Sequence, residues 1–414
     1  TVILQSHMDM VGDKLVDVEF DFDRDPIRTY VDGEWLTAEG TTLGADDGIG
    51  CAIELAILES NDIEHGPIEC VFTRDEETGL SGAEGMKPGF MTGDYLINLD
   101  SEDEGEIFVS CAGGRNTTAR FAIRREQAPT LFYIRAQLKG LVGGHSGDDI
   151  NKKRANAIKL IGRFLYQEMT RYEGIRLAQL HSGKLHNAIP RDGSFVIGVP
   201  SELKENVKAD WNVFAAQVED EFHVTDTQMV WSMESAEAEP VIEASVALNF
   251  VRALQAVDNG IYAICQDEAL GGMVETSSNI ASVHTEETEI TVLSSQRSNV
   301  MSNLDNMCAT IRATFELAGA EAWSSDGYPA WKMRAESHLR DTVVDCYKEL
   351  FGKEPVVRGI HAGLECGLFS ERYPNLDMVS FGPTLRFVHT PDERLHIPTV
   401  QMVWDHLLLV LKRI

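Results

Sequence analysis

The chain has 414 residues, enough for two or three domains of about 100–200 residues each. It carries 66 Asp and Glu against 36 Lys and Arg, so its net charge of −30 argues against nucleic acid or an anionic membrane surface as a partner. Hydrophobic residues make up 43% and charged residues 25%, as in globular proteins, and no apolar run approaches the roughly 18 residues of a membrane span.

The seven cysteines are odd in number and widely spread, and none forms a C-x-x-C pair. A disulfide framework or a cysteine zinc site is therefore not expected, and a reducing cytoplasm fits best. The sequence opens directly on Val2–Leu4, an apolar run typical of a buried strand. Because a domain rarely begins so abruptly, we expect that an N-terminal segment precedes this sequence.

Residues 1–113 alternate strand-like and helix-like segments. Short apolar runs at Val2–Leu4, Ile68–Phe72 and Tyr95–Leu99 predict buried strands, and the spacing of Gly50–Leu58 predicts a helix. This alternation favours a mostly parallel sheet with functional residues at its strand ends.

The segment from about 115 to 326 has a different pattern, typical of an α+β domain with antiparallel strands. Its length also allows an internal duplication. Strands are predicted at Phe132–Leu138, Phe195–Val199 and Glu289–Leu293, and helices at Ala155–Met169, Val241–Val257 and Leu304–Leu317.

From Tyr328 onward the α/β alternation returns, with helices predicted at Glu336–Leu350 and Thr399–Leu411 around a strand at Met378–Ser380. We therefore predict an α/β protein. One mostly parallel-sheet domain is built from residues 1–113 and 328–414, and an α+β domain is inserted at 114–327.

Four short segments in the first hundred residues concentrate side chains that bind metals: His7-Met8-Asp9, the run 44–48, the run 75–79, and Asp100. Each carboxylate group lies after an apolar strand or near a strand end, so the four can converge on one sheet edge. Imidazole with several carboxylates suits zinc, cobalt or manganese. Singly, each segment is as readily a turn or a solvated acidic patch, and only their occurrence together indicates a metal site.

The segments SHMDMV, TTLGADDGIG, FTRDEETGL, NLDSE, GGHSG, HNAIP, HAGLECG and FGPTLRFVHTPDE resemble the di-zinc metallopeptidase family that contains carboxypeptidase G, aminoacylase-1 and bacterial dipeptidases. HAGLECG and GGHSGDDINKKRANA are most similar to its aminoacyl-histidine dipeptidase branch, the carnosinase-like Xaa-His dipeptidases. The match runs in order along essentially the whole chain. One departure is that the family carries a further segment before His-x-Asp, which is absent here.

The resemblance implies two divalent ions, zinc in the family, with cobalt or manganese as alternatives. It implies that His7 binds one ion and His389 the other, and that Asp46 bridges both. Glu77 would complete one site and Asp100 the other.

The resemblance also implies the catalytic groups. Asp9 would support His7 through a hydrogen bond to its second ring nitrogen. Glu76 would act as the general base. His145 would stabilise the oxyanion of the tetrahedral intermediate, in many dimeric members from the partner subunit.

Four further residues are substrate-binding candidates. Arg297 suits a substrate carboxylate, with a surface salt bridge as the alternative. Asn187 is a second candidate from the inserted domain. Gly363 would let the backbone approach the substrate, and Glu365 would contact its free amine.

These inferences favour a cytoplasmic, homodimeric zinc dipeptidase with a catalytic domain and an inserted lid. Its expected partner is a small peptide substrate, an Xaa-His dipeptide such as carnosine. The alternatives are an N-acyl-amino-acid amidohydrolase of the same family and a non-catalytic metal-binding homologue. In the family, Asp at the position of Asp100 resembles the amino- and dipeptidases, and Glu76 has no purpose in metal binding alone.

Overall fold

The computed structural model describes residues 1–266 and 270–414. They form two compact units. The terminal unit consists mainly of Thr1–Cys111 and Pro329–Ile414, and the middle unit of Ala112–Gln266 and Gly271–Tyr328. Among the described residues, no helix is long and apolar enough to cross a membrane.

The elements follow one another in three runs. The terminal unit begins with β1 (Val2–His7), β2 (Thr29–Asp32), β3 (Trp35–Ala38), α1 (Ala45–Glu59), β4 (Ile68–Thr73), α2 (Ser81–Glu84), β5 (Tyr95–Asn98) and β6 (Glu106–Cys111). The middle unit contains β7 (Gly113–Ala122), β8 (Arg125–Glu126), β9 (Phe132–Lys139), β10 (Gly144–His145), α3 (Ala157–Arg171), β11 (Arg176–Ser182), β12 (Ala188–Ile189), β13 (Gly193–Val199), α4 (Lys204–Glu221), β14 (Val230–Ser235), β15 (Val241–Ile242), α5 (Ala244–Ala256), β16 (Gly260–Ile264), β17 (Val274–Thr285), β18 (Glu289–Ser298), α6 (Met301–Leu317) and β19 (Glu321–Ser324). The chain returns with α7 (His338–Phe351), β20 (Val356–Ile360), α8 (Cys366–Arg372), β21 (Asp377–Ser380), β22 (Leu385–Arg386), β23 (Arg394–His396) and α9 (Ile397–Arg413).

The terminal unit is built on a six-stranded sheet in the order β20-β6-β21-β5-β1-β4. Every neighbouring pair is parallel except β21 with β6, which confirms the predicted mostly parallel sheet. All six residues of β1 are buried, as expected for a central strand covered on both faces. The carboxyl ends of β1, β4 and β5 therefore lie side by side at one edge.

The middle unit is built on an antiparallel sheet whose main path runs β14-β9-β13-β11-β17-β18-β7-β19, with β16 added against β17. Its halves repeat one pattern. The first copy contains β9, α3, β11, β13, α4 and β14, and the second contains β7, α5, β17, β18, α6 and β19. If the four strands of each copy are numbered in sequence order, each half of the sheet runs from its outer edge as strand four, one, three and two.

The two copies meet through equivalent elements. The second strands, β11 and β17, pair antiparallel at His181↔His284 and Ser182↔Val283, and α3 packs against α5. Antiparallel pairing of equivalent strands is the arrangement that a two-fold axis produces. The first copy is inserted in the second, between β7 and α5.

Two local differences from the sequence predictions have simple causes. The helix expected from Val241 begins at Ala244, because Val241 and Ile242 pair with β8 instead. The sequence did not predict α4, whose buried residues such as Val207, Trp211 and Phe214 are separated by many charged side chains.

Candidate metal centre

His7 ends β1 and is buried. Its Nε2 lies 3.2 Å from Asp46 Oδ1 and 3.5 Å from Asp100 Oδ1. Its Nδ1 donates to the backbone oxygen of Asp9 at 2.8 Å, while the Asp9 carboxylate is 3.6 Å away. This carbonyl contact assigns the proton to Nδ1 and leaves Nε2 to face the carboxylates.

The Asp9 carboxylate has a different partner from the one expected. Its two oxygens accept the backbone N–H groups of Glu76 and Glu77 at 3.1 and 3.2 Å. The supporting contact to His7 is thus made by the main chain of Asp9, and the side chain fixes the loop after β4. The hydrogen bond expected between His7 and the Asp9 side chain is therefore replaced by one to the Asp9 main chain, and the carboxylate stays 3.6 Å from the same ring nitrogen.

Asp46 lies between the two histidines at the start of α1. Its Oδ1 faces His7, and its Oδ2 lies 3.1 Å from His389 Nε2. That same His389 nitrogen is 2.9 Å from Glu77 Oε1. Two potential metal-binding groups therefore share Asp46, one with His7 and Asp100 and the other with Glu77 and His389.

Glu393 holds the start of α1 in place and was not singled out in the sequence. Its buried carboxylate accepts the four successive backbone N–H groups of residues 43–46, at 2.7, 3.0, 2.8 and 3.3 Å. A helix N-terminus leaves such donors unpaired, and a carboxylate suits them. The only sequence signal was the glutamate that closes FGPTLRFVHTPDE.

The electrostatics of this edge are dominated by buried acids. Burial, followed by repulsion from Asp100, raises the pKa of Glu76 to about 9. Burial raises the pKa of Asp100 to about 7. Burial opposes the charge of His7, but hydrogen bonds to Asp100 and Asp46 outweigh it and raise its pKa well above the usual value.

These shifts show carboxylates packed together with too few cations near them. Divalent ions are the natural complement of such a cluster, and the donor set of imidazole and carboxylate is one that zinc, cobalt and manganese accept. The residues present thus fit two divalent ions.

Two candidates near α8 differ in position. Gly363 lies half-buried in the loop between β20 and α8. Glu365 is fully buried, and its Oε2 accepts hydrogen bonds from Gln5 and Thr73, both at 2.6 Å. These two hydrogen bonds hold Glu365 against β1 and β4, and its contact with a substrate amine stays a prediction.

The middle unit brings the remaining candidates together. His145 Nδ1 accepts the backbone N–H groups of Gly147 and Asp148 at 3.3 and 3.2 Å, which favours a proton on Nε2, whereas a hydrogen bond from Arg297 to Nε2 would require that nitrogen to accept. Ser146, the next residue, donates its N–H to the backbone oxygen of Asn187 at 2.8 Å. Asn187 thus holds the histidine loop through its main chain.

Arg297 lies beside this loop and is 5% exposed, so it is not a surface salt bridge. Its guanidinium donates to Tyr328 Oη at 2.8 Å and lies 3.4 Å from both His145 Nε2 and Ser146 Oγ. His145 comes from the first copy and Arg297 from the second.

Comparisons with known proteins agree with this geometry. Residues 3–413 match the model of peptidase family M20/M25/M40. The chain is 39% identical over 415 residues to the cytosol non-specific dipeptidase of Escherichia coli K12, spanning 100% of this chain and 85% of that protein. The crystal structure of aminoacylhistidine dipeptidase from Vibrio alginolyticus superposes with a TM-score of 0.88 at 43% identity, over 100% of this chain and 84% of the other.

A more distant structure supports the fold alone. Aminopeptidase PepT from Bacillus cereus has a TM-score of 0.52 at 15% identity, over 99% of this chain and 80% of that chain. The family match spans nearly every residue, including all five candidate metal ligands. The chain therefore belongs to peptidase family M20/M25/M40.

Proposed function

We propose that this protein is a dipeptidase that hydrolyses the peptide bond with two bound divalent ions, and that Xaa-His dipeptides are among its substrates. The observation that carries the proposal is the pair of donor groups sharing Asp46, in a chain whose relatives at 39% and 43% identity are dipeptidases. The Vibrio protein is named for aminoacyl-histidine substrates and the Escherichia coli protein as non-specific, which motivates testing both classes.

The first ion would be held by His7, Asp46 and Asp100, and the second by Asp46, Glu77 and His389. When bound, a pair of divalent ions polarises the peptide carbonyl and lowers the pKa of water at the site. Zinc suits this donor set best, and cobalt and manganese are the alternatives that metal analysis would distinguish.

Glu76 adjoins the candidate ligand Glu77 and belongs to the same acidic cluster. We assign it the proton transfers: it accepts a proton from the attacking water and delivers it to the leaving amine. Asp9 supports this role, since its carboxylate binds the N–H groups of both glutamates.

His145, Arg297, Asn187 and Gly363 keep the roles predicted from the sequence. The Nε2–H of His145 is a suitable donor to a developing oxyanion. The Arg297 guanidinium suits a substrate carboxylate. Asn187 would bind substrate beside this loop, and Gly363 would let the backbone approach it.

The cytoplasm and a homodimer complete the proposal. The seven cysteines, all among the described residues, form no disulfide, and the Escherichia coli relative is named as cytosolic. Light scattering on the purified protein tests the dimer.

The deciding experiment compares turnover of Xaa-His dipeptides, other dipeptides and N-acetyl amino acids on one sample whose metal content is measured. We expect dipeptide hydrolysis that a chelator abolishes and added metal restores. Preferential cleavage of N-acetyl amino acids would identify the amidohydrolase alternative. Two bound ions without turnover of any substrate would identify a non-catalytic homologue.

A further inference from the structure

A chain of buried hydrogen bonds runs beneath the candidate ligands in the terminal unit. It begins at Glu365, whose Oε2 accepts from Gln5 Nε2 and Thr73 Oγ1. Gln5 Oε1 accepts from Asn98 Nδ2 at 2.7 Å, and Asn98 Oδ1 accepts from Ser380 Oγ at 2.5 Å. These side chains are at most 4% exposed, so the chain is shielded from water.

These hydrogen-bonded side chains lie next to the candidate metal ligands in the strands. Gln5 lies two residues before His7 in β1, so alternation along the strand places both side chains on one face. Asn98 ends β5, and Asp100 follows two residues later, outside the strand. Thr73 pairs directly with His7 across β1 and β4. The hydrogen bonds of Glu365 therefore join β1 and β4, whose ends present candidate ligands.

Glu365 is the only ionisable residue in this series of hydrogen-bonded side chains. Its two donors are a neutral amide and a neutral hydroxyl, and its Oε1 has no hydrogen-bond partner among the described residues. Burial raises its pKa to about 7. A buried carboxylate whose hydrogen-bond donors are both neutral destabilises a fold, and positive charge near it offsets that cost.

The electrostatic reach of Glu365 extends to the candidate centre. Thr73, which donates to Glu365, pairs with His7 across β1 and β4, so the carboxylate lies one hydrogen bond away from the strand residue beside a candidate ligand. The negative charge of Glu365 would attract two divalent ions held by the neighbouring ligands.

We propose that Glu365 is a positioning residue of the metal centre, whose buried charge strengthens binding of the two ions that it does not contact. The proposal rests on the proposed function in that it requires metal binding at His7, Asp46, Glu77, Asp100 and His389. The Glu365 carboxylate then acts on the ions instead of on the substrate. This role accounts for a charged side chain at a position that is shielded from water.

Glu365→Gln tests the proposal because it keeps the size and an acceptor oxygen while removing the charge. Zn²⁺ is titrated against a competing chelator, and the melting temperature of the metal-free protein is measured at pH 8. We expect Zn²⁺ affinity to fall by about 10–100-fold, the usual effect of outer contacts on a metal site. The metal-free variant should melt at the same temperature or higher, since a buried charge has been removed.

Glu168→Gln is the matched control. Glu168 belongs to α3 of the middle unit, is 2% exposed, has an unpartnered Oε2, and has its pKa raised by burial to about 7. Removing its charge should likewise preserve or raise the metal-free melting temperature, but it should leave Zn²⁺ affinity unchanged.

Each other outcome overturns the proposal. Unchanged Zn²⁺ affinity in Glu365→Gln, or a fall equal to that of Glu168→Gln, excludes a specific effect on the ions. A fall in both affinity and metal-free melting temperature indicates an ordinary structural role. A raised KM with unchanged affinity returns Glu365 to substrate binding.

Glu365→Asp provides a second variant if the glutamine form does not fold. It keeps the charge and shortens the side chain, so it should retain more Zn²⁺ affinity than Glu365→Gln, and a greater loss would overturn the role of charge. The test of Glu365 measures metal binding and not activity. Wild-type protein that binds two ions but cleaves only N-acetyl amino acids would therefore refute the dipeptidase proposal and leave the role of Glu365 intact. Wild-type protein that binds no Zn²⁺ would refute both.

Discussion

The terminal and middle units assemble their functional groups in different ways. In the terminal unit, the candidate ligands follow parallel strands or begin a helix, and acids outnumber the basic groups around them. In the middle unit, His145 and Arg297 lie 152 residues apart in sequence and present N–H donors. We propose that one unit binds cations and that the other binds anions. Variants of the terminal unit should therefore alter metal content or proton transfer, whereas variants of the middle unit should alter kinetics alone.

The largest effect is expected for Glu76→Ala. Loss of a general base should lower kcat by about 10²–10⁴-fold while metal content is retained. Metal analysis and kinetics on the same sample check this, with Asp75→Asn as the neighbouring control that keeps activity. A variant that loses its ions while keeping its activity per bound ion would show that Glu76 is a ligand.

Asp46→Ala should reduce metal content most, because both of its oxygens face histidines of the two donor groups. Asp100→Ala should weaken mainly the group that contains His7. Metal analysis after dialysis compares the two variants, and equal losses of metal would contradict the bridging role.

His145→Ala sharpens the contrast between the units. We expect kcat to fall by about 10²–10³-fold, the scale for one oxyanion donor, with little change in KM and none in metal content. Loss of bound metal in this variant would break the division of roles.

A mixture of inactive His145→Ala and Glu76→Ala chains tests where the histidine comes from. The middle unit already contains two copies of one pattern within a single chain, so we expect no recovery of activity after verified subunit exchange. Partial recovery would show that the histidine is delivered by a partner subunit.

Acid should destabilise the terminal unit through His406, which is buried and donates from Nε2 to the backbone oxygen of Val343 at 2.8 Å. Burial lowers its pKa from 6.5 to about 4, so the unfolded chain binds the proton first. The stability that its neutral form contributes is complete above pH 6.5 and is lost as pH falls towards 4. Between pH 7 and 5 this amounts to about 2 kcal/mol.

Denaturant unfolding of wild type and His406→Gln at both pH values isolates this effect. Glutamine can still donate to Val343 but does not titrate. The pH-dependent loss should be smaller in the variant by about that amount, and identical pH profiles would contradict the assignment.

Arg297→Lys should have the smallest effect. Lysine keeps the charge but loses the planar fork, so KM for dipeptides should rise by about tenfold, or about 1.4 kcal/mol, with metal content unchanged. The variant Arg297→Met removes the charge as well and should raise KM further. Equal KM values in wild type and Arg297→Lys would assign the arginine a purely structural role.

The sequence predicted best those features that depend on neighbouring residues. His7, Asp46, Glu77 and Asp100 could be expected to converge because each follows an apolar strand or begins a helix, and parallel strands end at one edge. The resemblance to a peptidase family was confirmed by the match over residues 3–413.

Features that depend on distant contacts were missed or assigned differently. Glu393 binds N–H groups about 350 residues earlier in the chain, and nothing around it in sequence indicates that contact. Glu365 accepts hydrogen bonds from Gln5 and Thr73, which lie 360 and 292 residues earlier, and nothing around it in sequence indicates those partners. Burial and tertiary partners decide these roles, and periodicity does not report them.

The repeated pattern of the middle unit removes a constraint that symmetry imposes. A dimer of identical subunits must carry each substitution at two related positions, so its halves change together. Here the two copies belong to one polypeptide, and a change in one leaves the other as it was. The unit is in effect a covalently joined heterodimer, free to keep a histidine in one half and an arginine in the other, and selection can adjust the two groups independently.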